Sequence, residues 1–164
     1  MNHAAFPSPP ANTSERTLFC LYVYSRDGTL LHYHEWARPR ARANAGSSDD
    51  AKMMYGLLFS LNAFAQKVDP TAPPVAPGSR PPPRRVGFRS FRTSTYKLHF
   101  YEVPSGVQFA LLTDPGAPDL REALRHVHAA CYVDLVAKSP LHTPGRPFVS
   151  EAFDVAVTRY LRSV

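Results

Sequence analysis

His32 and His34 alternate along one apolar stretch with Glu35 beside them. On a strand, residues two apart point to the same side, and two such imidazoles can share a metal ion. No third ligand sits at a persuasive spacing, and simple alternation in a half-exposed strand accounts for the pair, so no metal site is expected. His126 and His128 are two apart in a helical stretch. They face nearly opposite directions and cannot hold an ion jointly. Cys20 falls in an apolar strand and Cys131 in a helix core stripe. Both read as buried structural thiols rather than nucleophiles. With only two cysteines and no CxxC, neither a disulfide framework nor a structural zinc site is expected. The phosphate-cradling patterns GxxxxGK[ST] and GxGxxG are absent. Asp114-Pro115-Gly116 reads as a plain strand-to-helix turn, and the carboxylates are too scattered for a paired acid/base site. No catalytic residue, cofactor or metal is therefore expected.

One feature points to binding instead. Asp49 to Val68 reads as an amphipathic helix whose core stripe is Met54, Leu57, Leu58, Leu61, Phe64, Ala65 and Val68. At about 100° per residue, Lys52, Tyr55, Phe59, Asn62 and Gln66 gather on the far side, flanked by Gly56 and Ala63. Two aromatics in a polar frame with small neighbours resemble an interface anchor more than a solvated face. The second helix adds Tyr132, Val133 and Val136, which lie off its expected core stripe of Leu120, Ala123, Leu124, Val127, Ala130, Cys131 and Leu135. These eight residues, five from the first helix and three from the second, form the candidate partner interface.

The elements around them follow from periodicity and turn chemistry. Thr17 to Tyr24 reads as a strand buried on both faces. Asp27-Gly28 turns it into a return strand, Thr29 to Trp36, with Leu31, Tyr33 and Glu35 on one face and Leu30, His32, His34 and Trp36 on the other. After the first helix, Val86 to Thr93, Tyr96 to Val103 and Val107 to Thr113 form an antiparallel meander. A helix from Pro118 to about Lys138 and a last helix over Phe148 to Leu161 complete the chain. The order β-β-α-β-β-β-α-α predicts an α+β fold, a five-stranded antiparallel sheet with three helices packed on it.

Composition narrows the function classes. The chain has 164 residues, enough for one domain, and is 44% hydrophobic and 20% charged. Residues 1–16 lack any period and read as a disordered tail, and the domain spans 17–164. Seven of the 17 prolines fall in 70–85, a Pro/Arg-rich loop insert. Arg38, Arg40, Arg42, Arg80, Arg84 and Arg85 equal the whole net charge of +6 and lie in two stretches without aromatics. The rest of the domain is balanced, which argues against nucleic-acid binding. There is no apolar run long enough for a membrane span and no apolar leader, so a reducing, cytosolic setting is expected.

The stretches LYVYSRDGTLLHYHEW from Leu21, KMMYGLLFS from Lys52, FRTSTYKLHFY from Phe91 and TDPGAPDLREALRHVHAACYVDLVAKSPL from Thr113 resemble the TRAPP complex subunit 1 family. The likeness runs over about Leu18 to Leu161. It implies a longin-like fold of the sybindin-like branch and no catalytic or cofactor residues. It further implies a place in a multisubunit tether of ER-to-Golgi vesicle transport, cytoplasmic and peripheral at endoplasmic reticulum and Golgi membranes. The implied partners are a second longin-type, synbindin-like subunit, a subunit of the other TRAPP fold, and a Rab-type GTPase served by guanine-nucleotide exchange. A stand-alone SNARE-like or adaptor longin that binds a peptide is the alternative, and a small hydrolase on the same sheet lacks a nucleophile–base pair. The tail and the Pro/Arg insert exceed the family pattern, and no GTPase-contact residue is transferred.

Overall fold

The structure, a computed structural model, describes residues 17–37, 48–71, 78 and 87–164. The expected tail, most of the Pro/Arg insert and all six of the singled-out arginines lie outside the described residues.

Strands β1 (Leu18–Tyr24), β2 (Leu30–Glu35), β3 (Ser90–Arg92), β4 (Lys97–Glu102) and β5 (Gln108–Thr113) form one sheet in the order β2-β1-β5-β4-β3. Every neighbouring pair is antiparallel. Helix α1 (Ser48–Val68) precedes β3. Helix α2 starts at Arg121 and continues from Val127 to Ala137 with π-helical geometry, and α3 is Glu151–Ser163. The α+β order expected from the residues, and the longin-like arrangement expected from the resemblance, are the ones observed.

The central strand β1 is apolar throughout because both of its faces are covered. Leu21 and Val23 join Phe109, Leu111, Leu124, Val127, Phe153 and Val157 in a core beneath α2 and α3. Tyr22 and Tyr24 join Leu98, Phe100, Ala110 and Leu58 in a second core beneath α1. The Tyr24 hydroxyl donates to the Ala51 carbonyl at 2.8 Å, anchoring the first turns of α1. Burial, with Tyr22 beside it, pushes the Tyr24 phenol far above its ordinary pKa.

Several local expectations are corrected. The register of β2 on β1 jumps between Val23↔His32 and Tyr24↔Leu30, so Leu31 is an extra, bulged residue. A bulge displaces alternation by one position. Leu31 therefore joins His32 on the α3 side, while Leu30 joins Tyr33 on the α1 side. The strand expected over 86–93 pairs only as Ser90–Arg92. Phe88 turns inward to stack on Phe100, with ring centroids 4.9 Å apart. The last helix begins at Glu151 rather than Phe148, because the Ser150 hydroxyl caps it by accepting from the Phe153 N–H at 3.2 Å. Phe148 instead donates its N–H to the Leu31 carbonyl at 2.9 Å, laying the preceding segment along edge strand β2.

Candidate functional site

Helix α1 is rotated about its axis from the orientation that apolar counting predicts. Two glycines set the rotation. Gly28 holds a positive φ of 89° in the β1–β2 hairpin, and a Cβ there would lie 2.7 Å from the Tyr55 ring. The bare glycine lets Tyr55 lie over the turn and tilt against Tyr24, with ring centroids 5.5 Å apart. Gly87 approaches even closer, since a Cβ on it would sit 2.5 Å from the Asn62 carbonyl oxygen. The Gly87 N–H donates to Asn62 Oδ1 at 2.9 Å, and Asn62 is buried. Tyr55 and Asn62, expected at a partner surface, thus face the chain's own sheet. Gln66 is half-buried, and Lys52 and Phe59 are exposed.

The rotation turns two expected core residues outward. Phe64 is 68% exposed and Val68 58%, and Met53, about three turns nearer the N-terminus, is 62% exposed. The outer surface of α1 therefore carries Met53, Phe64 and Val68 on one flank and Lys52 and Phe59 on the other, with Gly56 and Ser60 between. Counting apolar residues alone missed this, because Tyr and Asn ordinarily score as surface. Asp27-Gly28 was the available signal that a large side chain could settle on that turn.

The second helix is corrected in the same way. From Val127 to Ala137 the bonding runs i→i+5, closing with the Lys138 N–H on the Val133 carbonyl at 3.0 Å. That wider turn carries Tyr132 and Val136 into the core and swings Leu135 out to the surface. The Tyr132 ring packs against Phe109, Phe148 and Phe153. Tyr132 and Val136 are thus interior residues, not surface ones. Val133 is the least buried of that trio and stands on the wall of a cleft of about 710 Å³ that Leu31, Val107, His128, Tyr132 and His142 also line. Burial lowers the His128 pKa and raises that of Tyr132. Burial, then the Asp134 charge, raises that of the Cys131 thiol, which leaves it a poor nucleophile.

His99 and Thr113 are the one buried imidazole–hydroxyl pair among the described residues, 3.0 Å apart. His99 Nδ1 accepts from the Leu120 N–H at 3.4 Å, and the Thr113 hydroxyl donates to the Asp114 carbonyl. The imidazole therefore donates to Thr113 and does not activate it, and both side chains are sealed from solvent. His126 stacks on Tyr160 and His128 on Tyr132, apart from each other as expected. Asp154 of α3, in contrast, reaches both His32 and His34. That third group, 120 or more positions away in sequence, lay beyond any spacing argument. No described helix is long and apolar enough to cross a membrane.

The comparisons with known proteins agree with this architecture. A profile described as the Sybindin-like family matches residues 18–164. The chain is 38% identical over 148 residues to "Trafficking protein particle complex subunit 1" of Homo sapiens, covering 90% of this chain and 94% of that protein. It is 31% identical to the protein of the same description from Dictyostelium discoideum, over 90% of this chain and 96% of the relative. It is also 25% identical to "Trafficking protein particle complex subunit 4" of Dictyostelium discoideum, over 88% of this chain and 96% of that protein. A match over the whole described sheet and all three helices, at this identity, places the chain in the Sybindin-like family.

Proposed function

We propose that this chain is a non-catalytic core subunit of a TRAPP tethering complex. In this reading it contributes a longin platform to guanine-nucleotide exchange on a Rab-type GTPase in ER-to-Golgi vesicle transport. It works on the cytoplasmic side, peripheral at endoplasmic reticulum and Golgi membranes. The relatives' names support the assembly, since they are subunits of a trafficking particle. The observation that carries the reading is the outer face of α1, where Met53, Phe64 and Val68 are all more than half exposed. An isolated domain rarely spends three large apolar side chains on one helix flank.

The occupant of that face is a second longin-type subunit of the synbindin-like kind. Likeness to both subunit 1 and subunit 4 of one particle supports this, because two subunits of one complex then share this fold. A subunit of the other TRAPP fold docks elsewhere on the chain. Exchange needs no bond-making by this subunit. It requires a rigid surface that favours the nucleotide-free state of the GTPase over the loaded one.

The test is the double variant Met53→Glu, Phe64→Glu, co-expressed with the synbindin-like partner. Co-purification is expected to fail and GDP release by the assembly to fall, while the circular dichroism spectrum of the variant chain stays unchanged. A complex that survives intact overturns the assignment of this face.

A further inference from the structure

We propose that His32, His34 and Asp154 form a binding site for one divalent transition-metal ion of the zinc class, stapling α3 to edge strand β2. Their ligand atoms, one from each residue, all lie within 4.8 Å of one another. Asp154 Oδ1 is 2.6 Å from His32 Nε2 and 3.4 Å from His34 Nδ1. In a tetrahedral zinc site with ligand bonds of about 2.0–2.1 Å, ligand atoms sit about 3.3 Å apart. One pair is already at that separation. A second opens by less than about 1 Å to admit the ion, and the two imidazole nitrogens lie within 4.8 Å of each other.

The surroundings fit a ligand set in two ways. The other nitrogen of His32, Nδ1, lies 3.2 Å from the Phe148 carbonyl. A ring that donates Nδ1–H to a backbone carbonyl presents Nε2 as the metal donor, which is the usual orientation of a ligating histidine. The His32 ring is also clamped between Phe148, stacked at 4.8 Å, and Phe153, edge-on at 5.3 Å. His34 and Asp154 are half-buried, so the ion keeps a path to solvent and an open position for water. Two imidazoles and one carboxylate select this class over calcium or magnesium, which take oxygen ligands.

The site exists because the pairings Val23↔His32 and Leu21↔His34 put both imidazoles on the α3 side, and because Ser150 starts α3 four residues before Asp154. It is independent of the proposed role in a tether.

Trp36, the only tryptophan, provides the readout, with its ring centroid 4.7 Å from that of His34. The full-length chain, freed of metal and of any affinity tag, is titrated with Zn²⁺ and separately with Co²⁺. The expected result is a saturable step at one ion per chain, seen in Trp36 emission and in cobalt ligand-field bands. Saturating zinc should raise the thermal midpoint by at least about 5 °C. Asp154→Asn, which keeps an acceptor for His32, and His34→Ala, at a half-exposed position, should each weaken binding at least tenfold, whereas His126→Ala should not. Absence of a one-to-one step, or equal binding by the wild type and both site variants, overturns the proposal.

Discussion

The π-helical register of the second helix makes adjacent residues behave oppositely, and this can be measured. In an ordinary α-helix Leu135 would follow Val127 and Cys131 down the core stripe, and Val136 would point away. In the structure Val136 is 2% exposed and Leu135 is 38% exposed. Val136→Ala deletes the equivalent of two buried methylenes, worth about 0.8 kcal/mol each. The cavity left in a tightly filled core adds roughly 1 kcal/mol more. The expected cost is thus about 2.5 kcal/mol. Leu135 lies on an open groove between the π-helical segment and α3, beside Val155 and Arg159, so its removal leaves no sealed void. Leu135→Ala should cost less than about 1 kcal/mol. For a domain of this size each kcal/mol moves the thermal midpoint by about 2–4 °C. The two variants should therefore melt at least about 3 °C apart, with Val136→Ala the lower, as followed by far-ultraviolet circular dichroism. Equal midpoints, or a lower one for Leu135→Ala, refute the register and with it the placement of Tyr132 in the core.

Asn62→Ala should destabilise the isolated chain by about 1–3 kcal/mol, because it strips the half-buried Gly87 N–H of its acceptor. A normal urea midpoint combined with lost partner binding would show instead that Asn62 serves a partner surface. His128 gives a pH dependence with a fixed sign. Burial depresses its pKa below the ordinary imidazole value of 6.5, so the unfolded chain takes up the proton first. Its contribution is fully favourable above that value and is lost as the pH falls through it towards the folded-state pKa. Urea midpoints measured between about pH 7.5 and pH 5 should fall less steeply for His128→Gln than for the wild type, and parallel curves would refute the reasoning.

Most of the architecture was legible in the residues. The apolar run of β1 announced a strand covered on both faces, Asp27-Gly28 announced the hairpin, and the stops at Asp69-Pro70 and Ser139-Pro140 bounded the helices. Alternation in Leu98 and Phe100, and in Phe109 and Leu111, put each pair on the face that it occupies. These signals are local, and local periodicity is the information a single chain prints most plainly. The orientation of α1 was less legible because it is decided by what lies beneath the helix. Tyr55 and Asn62 turn inward only because Gly28 and Gly87, distant in sequence, leave room for them.

Two of the three misread faces share one cause. A strand or helix pattern assigns sides by counting, and one extra residue per turn, or one in a ladder, transfers everything beyond it to another side. The bulge at Leu31 does this to β2, and the i→i+5 turns after His126 do it to the second helix. Both irregularities have structural consequences beyond themselves. Without the bulge, Leu31 would pair opposite Tyr24 on the α1 side instead of sharing the α3 side with His32. Without the wider turns, Tyr132 would leave its aromatic neighbours, and the cleft beside His128 and His142 would lose a wall. The regular parts of this chain build a scaffold common to its family, and the one-residue departures decide which side chains meet at its surface. A comparison of relatives should therefore look first at whether these two insertions are kept, since either could be lost while every apolar position stayed apolar.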